Sequence, residues 1–193
     1  PRLYHGVFNP KKDKEVFRAS MNTWAGIYRR QFLVEREILH NETPGASYQD
    51  NGFWFQTFTQ AERIGFIEKP LYYLRRDNPN SSVNSREKVY CICDEMNFIR
   101  SFMDRKPEIY CNFKDIFWES CFRKYIFNLK RIASLYKLEF IRYMHDEFIS
   151  HIEEIDLSLF NENQMRYFSS ILQDPDTFYY DYVKIPENVE RFC

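Results

Sequence analysis

The sequence predicts an α+β fold that is mainly α, with short strands followed by a helical bundle. Up to residue 84 the chain mixes short β-like runs with loops, and most of its glycine and proline lies there. After Arg86, apolar residues recur at spacings of three and four, the period of an amphipathic helix. A run of turn-forming residues, 77–85, separates the two parts. We therefore predict two domains, residues 1–84 and residues 85–193.

The first domain is predicted to contain three helices and three short strands. Asp13 and Asp50 each stand before apolar residues with helical spacing, where an N-cap is expected. Runs of β-branched and aromatic residues between turn formers indicate strands. The predicted elements are a short helix after Asp13, a strand at 23–28, helices at 29–37 and from Asp50, and strands at 63–67 and 70–75.

The second domain is predicted to be entirely helical. Its first helix carries apolar residues at positions 89, 92, 96, 99 and 103 and ends before Pro107. Further helices are predicted at about 112–136, 138–155, 162–172 and 178–184. No internal repeat interrupts this order, so a small helical bundle is expected.

Composition excludes several classes of protein. The chain has 193 residues, with 27 Lys and Arg against 28 Asp and Glu, so its net charge of −1 provides no general basic field for nucleic acid. Its 44% hydrophobic and 19% aromatic content excludes a disordered chain. Its 5 glycines form neither a G-x-G-x-x-G turn nor a Walker loop, which argues against a glycine-cradled nucleotide site within the chain.

The expected location is the cytoplasm. The 5 cysteines are odd in number and form no C-x-x-C pair, which is typical of reduced thiols. Charged residues interrupt every hydrophobic run before it reaches the roughly 20 residues of a membrane span. The chain begins at Pro1 and not at Met, so we expect that part of the natural protein lies upstream.

The strongest local signal is the segment 43–55, which reads TPGASYQDNGFWF. An Asp at the mouth of a helix, flanked by glycine and aromatic residues, can serve as a general base, since its carboxylate can be held against backbone N–H groups. A plain N-cap is the structural alternative for Asp50, because Asp is a favoured cap in any helix.

Three segments together resemble a known family. WAGIYRRQFL at 24–33, PGASYQDNGF at 44–53 and KPLYYLRRDNPNSS at 69–82 resemble, in this order, the acceptor-side half of bacterial family 2 glycosyltransferases. The resemblance covers residues 20 to 90 firmly and the helical remainder loosely. It implies a GT-A fold, a nucleotide-diphosphate sugar as donor, a saccharide or lipid-linked acceptor, and transfer with inversion at the anomeric carbon.

The resemblance also implies roles for individual residues. Asp50 matches the catalytic base of the family, and the loop 77–85 would cover the donor or the acceptor. Arg75 and Arg76 can bind the donor diphosphate or, alternatively, form a structural pair with Asp77. The matched segments give as substrate-binding candidates Trp24, Gln49, Tyr73, Arg75, Arg76, Ser81 and Ser82. Trp24 and Tyr73 can stack on sugar faces, although ordinary aromatic packing is the alternative.

The donor-binding half of such an enzyme is not found in this chain. In the family, a D-x-D motif holds Mn²⁺ or Mg²⁺ against the donor diphosphate, and it precedes the part seen here. The D-x-D of this sequence, Asp174-Pro175-Asp176, is predicted to start a helix. We therefore predict no metal ligands in this chain, a divalent cation bound by residues outside it, and no transfer by this chain alone.

Five basic residues share one arc of a predicted helix: Arg123, Lys124, Lys130, Arg131 and Lys137. This arc indicates either a solvated face or peripheral contact with anionic lipid at the inner face of the membrane.

Loss of an upstream half would expose apolar surface, so a homo-oligomer is expected. The alternative to a glycosyltransferase fragment is a non-catalytic helical module, derived from that fold, for interaction or oligomerisation.

Overall fold

The computed structural model describes residues 6–19, 22–44, 47–75, 77–78, 81 and 85–184. The fold is mainly helical, with 65% helix and one two-stranded antiparallel sheet. The described residues form seven α-helices: α1 Arg30–Glu35, α2 Gln49–Gln60, α3 Cys91–Asp104, α4 Pro107–Arg131, α5 Ser134–Ser150, α6 Glu162–Gln173 and α7 Pro175–Phe178. The strands are β1 Val7–Phe8 and β2 Ile64–Gly65, with Val7 opposite Gly65 and Phe8 opposite Ile64.

The described residues also form short 3₁₀ turns and one π-helical segment. The 3₁₀ turns lie at Lys14–Arg18, Thr23–Ala25, Ile152–Glu154 and Leu157–Leu159, and the π-helical segment is Tyr179–Lys184. The chain divides into two compact units, residues 1–84 with 91–113, and residues 85–90 with 114–193. The compact units therefore place α3 with the first part of the chain. The predicted domains, 1–84 and 85–193, stay a prediction.

The first unit is built around α2, which is buried along nine consecutive residues from Asn51 to Thr59. Phe17 packs against this helix, with ring-centroid distances of 5.5 Å to Trp54 and 6.1 Å to Phe58. The polar side chains of α2 have partners inside the unit. Thr57 and Thr59 donate to backbone carbonyls one turn earlier, each at 2.7 Å. Although α2 is buried on all sides, both threonine hydroxyls are therefore hydrogen-bonded.

The second unit has an aromatic core. Phe148 of α5 contacts rings on two other helices, with centroid distances of 6.1 Å to Trp118, 5.6 Å to Phe122 and 5.5 Å to Phe168. Such edge-to-face contacts add to the stabilisation that comes from burying the rings. A capping box formed by Asn161 and Gln164 starts α6.

The predicted helices are mostly present with shifted ends. The apolar positions 92, 96, 99 and 103 are buried in α3, and α6 lies where it was expected. The predicted helix 112–136 is wrong in its bounds, because α4 ends at Arg131 and α5 begins at Ser134. The break occurs where the Ala133 backbone is extended and its N–H donates to the carbonyl of Arg86 at 3.1 Å.

Two of the three predicted strands are wrong. Residues 23–28 contain the 3₁₀ turn Thr23–Ala25 and no strand, and residues 70–75 contain no regular structure and are exposed. The third predicted strand, 63–67, is confirmed only at Ile64–Gly65. A strand needs a partner for its hydrogen bonds, and in the described part of the chain β1 pairs only with β2. The GT-A fold expected from the resemblance stays a prediction.

Candidate functional site

Asp50 lies in the first turn of α2, not at its cap. The helix begins at Gln49, and the residue at the cap position is Tyr48, which has a left-handed backbone (φ 65°) and makes no capping hydrogen bond with its side chain. The prediction that Asp50 is the N-cap is therefore wrong by two positions. A carboxylate in a first helical turn still interacts favourably with the positive end of the helix dipole.

Asn51 holds the carboxylate of Asp50. Its side-chain Nδ2 donates to Asp50 Oδ1 at 3.2 Å and to the backbone carbonyl of Tyr48 at 2.7 Å. Asn51 is only 2% exposed, and its Oδ1 has no hydrogen-bond partner among the described residues. An amide oxygen that is buried without a donor is uncommon and costs free energy. Asn51 thus belongs to the site beside Asp50, although the sequence analysis did not select it.

Glu95 of α3 is the second residue that the sequence analysis missed. Its side chain is 1% exposed, and its carboxylate accepts a hydrogen bond from the Gly52 N–H at 2.6 Å and from Asn41 Nδ2 at 3.1 Å. Burial raises the pKa of Glu95 to about 7; the two hydrogen bonds act in the opposite direction, and the charge of Asp50 adds to the rise. One feature of the sequence could have identified Glu95: it is an acidic residue within the apolar stripe of α3, three positions after Ile92.

Gln49 is engaged in the loop that precedes α2. Its Nε2 donates to the backbone carbonyl and to the hydroxyl of Thr43, each at 3.0 Å, and its Oε1 accepts from the Ser47 N–H at 3.2 Å. These bonds tie the loop to the first residue of the helix. The structure therefore gives Gln49 a loop-holding role, and its predicted contact with substrate stays a prediction.

Aromatic side chains pack on α2 one turn after Asp50. The His40 ring stacks on Phe53 at a centroid distance of 4.5 Å, and Tyr28 meets the same ring edge-on at 5.2 Å. His40 Nδ1 lies 3.2 Å from the backbone oxygen of Gln49. Partial burial raises the pKa of the Tyr28 hydroxyl. Rings from two preceding segments thus fix the position of the first turns of α2.

Three other predicted substrate-binding residues, Trp24, Tyr73 and Arg75, are exposed. The 3₁₀ turn that contains Trp24 contacts α2, and the Trp24 ring packs on Tyr72 at 6.3 Å. Tyr73 is 93% exposed, and Arg75 pairs with Asp77 at 2.8 Å, which is the structural alternative considered for this arginine. Ser81 is half-buried and its N–H donates to the Asn78 carbonyl at 3.1 Å. Arg76 and Ser82 lie outside the described residues.

The D-x-D motif starts a helix, as expected. Asp174 caps α7 by accepting hydrogen bonds from the N–H groups of Asp176 and Thr177, and Pro175 occupies the first helical turn. The carboxylate of Asp176 pairs with Arg142 at 2.6 Å. Across residues 6–184, apart from the short stretches left out above, no three His, Cys, Asp or Glu side chains are grouped in a way that could hold a metal.

The predicted basic arc is divided between two helices. Arg123, Lys124, Lys130 and Arg131 lie on α4, but Lys137 lies on α5, so a single five-residue face on one helix is wrong. Phe122, Tyr125 and Leu129 on the other side of α4 are buried. In the part of the chain that is described, none of the helices combines the length and the apolar composition needed to cross a membrane.

Comparison of the chain with protein-family models, with curated proteins and with solved structures finds no match.

Proposed function

We propose that this chain is the C-terminal, acceptor-side part of a bacterial inverting glycosyltransferase of family 2 with the GT-A fold. The proposed enzyme transfers a sugar from a nucleotide-diphosphate donor to a saccharide or lipid-linked acceptor. The proposed product is a surface polysaccharide. Three sequence segments support this proposal through their order and spacing. The observation that carries it is the position of Asp50. This carboxylate lies inside the first turn of a buried helix, is bound by Asn51 and adjoins the buried Glu95.

In the proposed reaction Asp50 is the general base. The acceptor hydroxyl oxygen attacks the anomeric carbon of the donor while Asp50 takes the hydroxyl proton. The bond from that carbon to the diphosphate breaks, and the diphosphate leaves with the electron pair. A single displacement of this kind inverts the anomeric centre and needs no covalent sugar intermediate. A positioned base typically contributes about 10²–10⁴ in rate.

The proposal leaves the donor half of the site to residues outside this chain. A divalent cation, Mn²⁺ or Mg²⁺, neutralises the donor diphosphate in enzymes of the proposed family. The D-x-D present here does not suit that role, since Asp174 is occupied as a cap and Asp176 pairs with Arg142. Arg75, on an exposed segment, is the proposed contact for the diphosphate in the described part of the chain.

Asp50→Asn in the complete gene product tests the proposal. The substitution keeps the shape and removes the base, so the turnover number should fall by about 10²-fold or more with the donor KM little changed. Asp94→Asn is a matched control, because Asp94 also lies in the first turn of a helix of this unit but is exposed. Near-normal transfer by a folded Asp50→Asn protein would remove Asp50 from the catalytic role.

A non-catalytic interaction module is the second candidate, and exposed apolar side chains favour it. Ile27 is 95% exposed, and Leu71 and Tyr73 on a later segment are also exposed. Such side chains are typical of a surface that another protein or another copy covers. The gene sequence upstream of Pro1 discriminates between the candidates. Strands with an acidic cluster and a D-x-D support the enzyme, whereas a natural start close to Pro1 supports the module.

The proposed location is the cytoplasm, with peripheral contact at the inner face of the membrane through the basic residues of α4. Lys130 is exposed, and Arg123, Lys124 and Arg131 are half-buried on that helix. Basic residues near anionic lipid contribute about 1 kcal/mol each. Sedimentation with anionic and with neutral vesicles tests this contact. Lys130→Glu should weaken binding to the anionic vesicles, and equal sedimentation with both vesicle types would contradict the proposal.

A further inference from the structure

The first turn of α2 takes a hydrogen-bond acceptor from another helix. The Tyr48 side chain does not cap α2, and the Gly52 N–H, close to the helix start, donates to the Glu95 carboxylate at 2.6 Å. Glu95 is 43 residues away in sequence and reaches α2 from α3. A carboxylate at this end of a helix satisfies a backbone donor and interacts with the helix dipole. Glu95 therefore binds the first turn of α2 through tertiary packing.

Space for this carboxylate exists only because residue 52 is glycine. A β-carbon there would overlap Glu95 Oε1 and would lie 2.8 Å from Cδ1 of Phe98. Asn41 binds the same carboxylate from the loop before α2. A buried acid that is fixed by two donors is a costly feature in the apolar stripe of a helix, where a leucine would pack without desolvating a charge. The cost indicates a role beyond packing.

We propose that Glu95 is a positioning residue for Asp50: by accepting hydrogen bonds from Gly52 and Asn41, it fixes the first turn of α2 and thereby the place of the Asp50 carboxylate. The inference rests on the proposed function for the role of Asp50. Asp50 is two residues before Gly52 on the same turn, and its charge acts on Glu95. A base must be held within hydrogen-bond reach of its proton, and displacement by about 1 Å can cost about 10²-fold in rate.

In the described part of the chain, Asp50 acts on the Glu95 carboxylate from α2 through its charge, and Asn41, its neutral partner in the preceding loop, is flanked in sequence by His40 and Glu42. Asp94 is adjacent on α3 and exposed. Of these groups, Asp50 is the one that acts on the ionisation of Glu95 through its charge. The ionisation of Glu95 should therefore be sensed at both Gly52 and Asp50.

Nuclear magnetic resonance on the complete gene product tests this geometry without relying on activity. We expect the chemical shifts of the Gly52 amide proton and of the Asp50 side-chain carboxyl carbon, assigned by its loss in Asp50→Asn, to change together as Glu95 ionises near pH 7. Both changes should disappear in Glu95→Gln and persist in Asp94→Asn. Gly52 and Asp50 signals that are unchanged by Glu95→Gln would overturn the inference.

Transfer kinetics provide the second measurement. Glu95→Ala, with folding confirmed by circular dichroism, should lower kcat by about 10- to 100-fold and leave KM within about twofold of the wild-type value. Glu95→Gln keeps the acceptor oxygen, so its kcat should lie within about threefold of the wild-type value. Normal kcat in a folded Glu95→Ala protein would overturn the positioning role. Full transfer by Asp50→Asn, together with coupled shift changes at Gly52 and Asp50 in the wild type, would refute the proposed function while leaving the Glu95 geometry intact.

Discussion

Gly52 and Glu95 form a contact between two helices that leaves no room for a side chain at position 52. The backbone N–H of Gly52 donates to the Glu95 carboxylate, and a side chain at position 52 would occupy the space of that carboxylate. In the interior of a helix glycine is normally destabilising relative to alanine by up to about 1 kcal/mol. Because of this contact, we expect glycine to be more stable than alanine at position 52, the reverse of the usual order.

Gly52→Ala should destabilise the protein by about 1–3 kcal/mol, because the added methyl group must displace Glu95 or Phe98. Helix propensity alone predicts a small gain in stability, so the sign of the change identifies the cause. Urea unfolding measures it. Gly65→Ala is the control, because a β-carbon added there would lie 4.0 Å from the Gly6 carbonyl oxygen, an ordinary contact, so the stability of this variant should hardly change. Stabilisation by Gly52→Ala would show that the contact is looser than described.

Glu95 should make stability depend on pH. Burial raises its pKa to about 7 in the folded protein, against 4.5 in the unfolded chain. The stability that Glu95 contributes is therefore fully present below about pH 4.5 and is lost as the pH rises through about 7, a change on the order of 3 kcal/mol.

Glu95→Gln removes this titration, so its stability relative to the wild type should increase between pH 4.5 and 8. Urea unfolding of both proteins across that range provides the measurement. Asp94→Asn should follow the wild-type curve, because Asp94 is exposed on the same helix. Parallel curves for the wild type and Glu95→Gln would mean that Glu95 titrates as an ordinary carboxylate.

Asp174 should behave as a cap and not as a metal ligand. Hydrogen bonds from Thr177 lower the pKa of its carboxyl and hold the start of α7. Asp174→Ala should lower the melting temperature by about 2–4 °C, whereas Asp174→Asn should change it little, since Asn caps about as well as Asp. Adding Mn²⁺ should leave all three melting temperatures unchanged. A rise confined to the wild type would point to metal binding at this motif.

Phe148 should be essential for the second unit. Its ring is fully buried among Trp118, Phe122 and Phe168, so Phe148→Ala should cost about 3–5 kcal/mol through lost contacts and an unfilled cavity. Phe127→Ala is the matched control, because Phe127 is half exposed and should cost less than about 1 kcal/mol. Chemical unfolding that follows near-ultraviolet circular dichroism provides the comparison. Equal losses for the two variants would contradict the described core.

The sequence predicted the helices whose position depends on residues within the helix itself. Ile92, Met96 and Ile99 give α3 a regular apolar stripe, and Asp174-Pro175 carries the local chemistry of a helix start. The break between α4 and α5 was predicted near residue 137, but its position at 132–133 was not predictable, because no glycine or proline marks it. It depends on the carbonyl of Arg86, which accepts from the Ala133 N–H more than 40 residues away.

The site was predictable to a similar degree. The aromatic stripe after Asp50 located α2, but the helix start depends on the left-handed backbone of Tyr48, a conformation that non-glycine residues adopt only where the surroundings compensate. Glu95 interrupts an otherwise apolar pattern, and its partner Gly52 lies in a different segment. Sequence periodicity describes one helix at a time, so it could not pair the two.

The distance in sequence between Gly52 and Glu95 has a consequence for the order of folding. Helix α2 has 12 residues, a length at which an isolated helix is marginal, and the acceptor for one of its first-turn N–H groups arrives 43 residues later. During synthesis from the N-terminus, we expect the turn that carries Asp50 to lack this hydrogen bond until α3 has left the ribosome and docked. Slow pairing of distant segments is typical of contacts with high sequence separation. The geometry around Asp50 is thus expected to be among the last parts of the first unit to form, after the helices themselves.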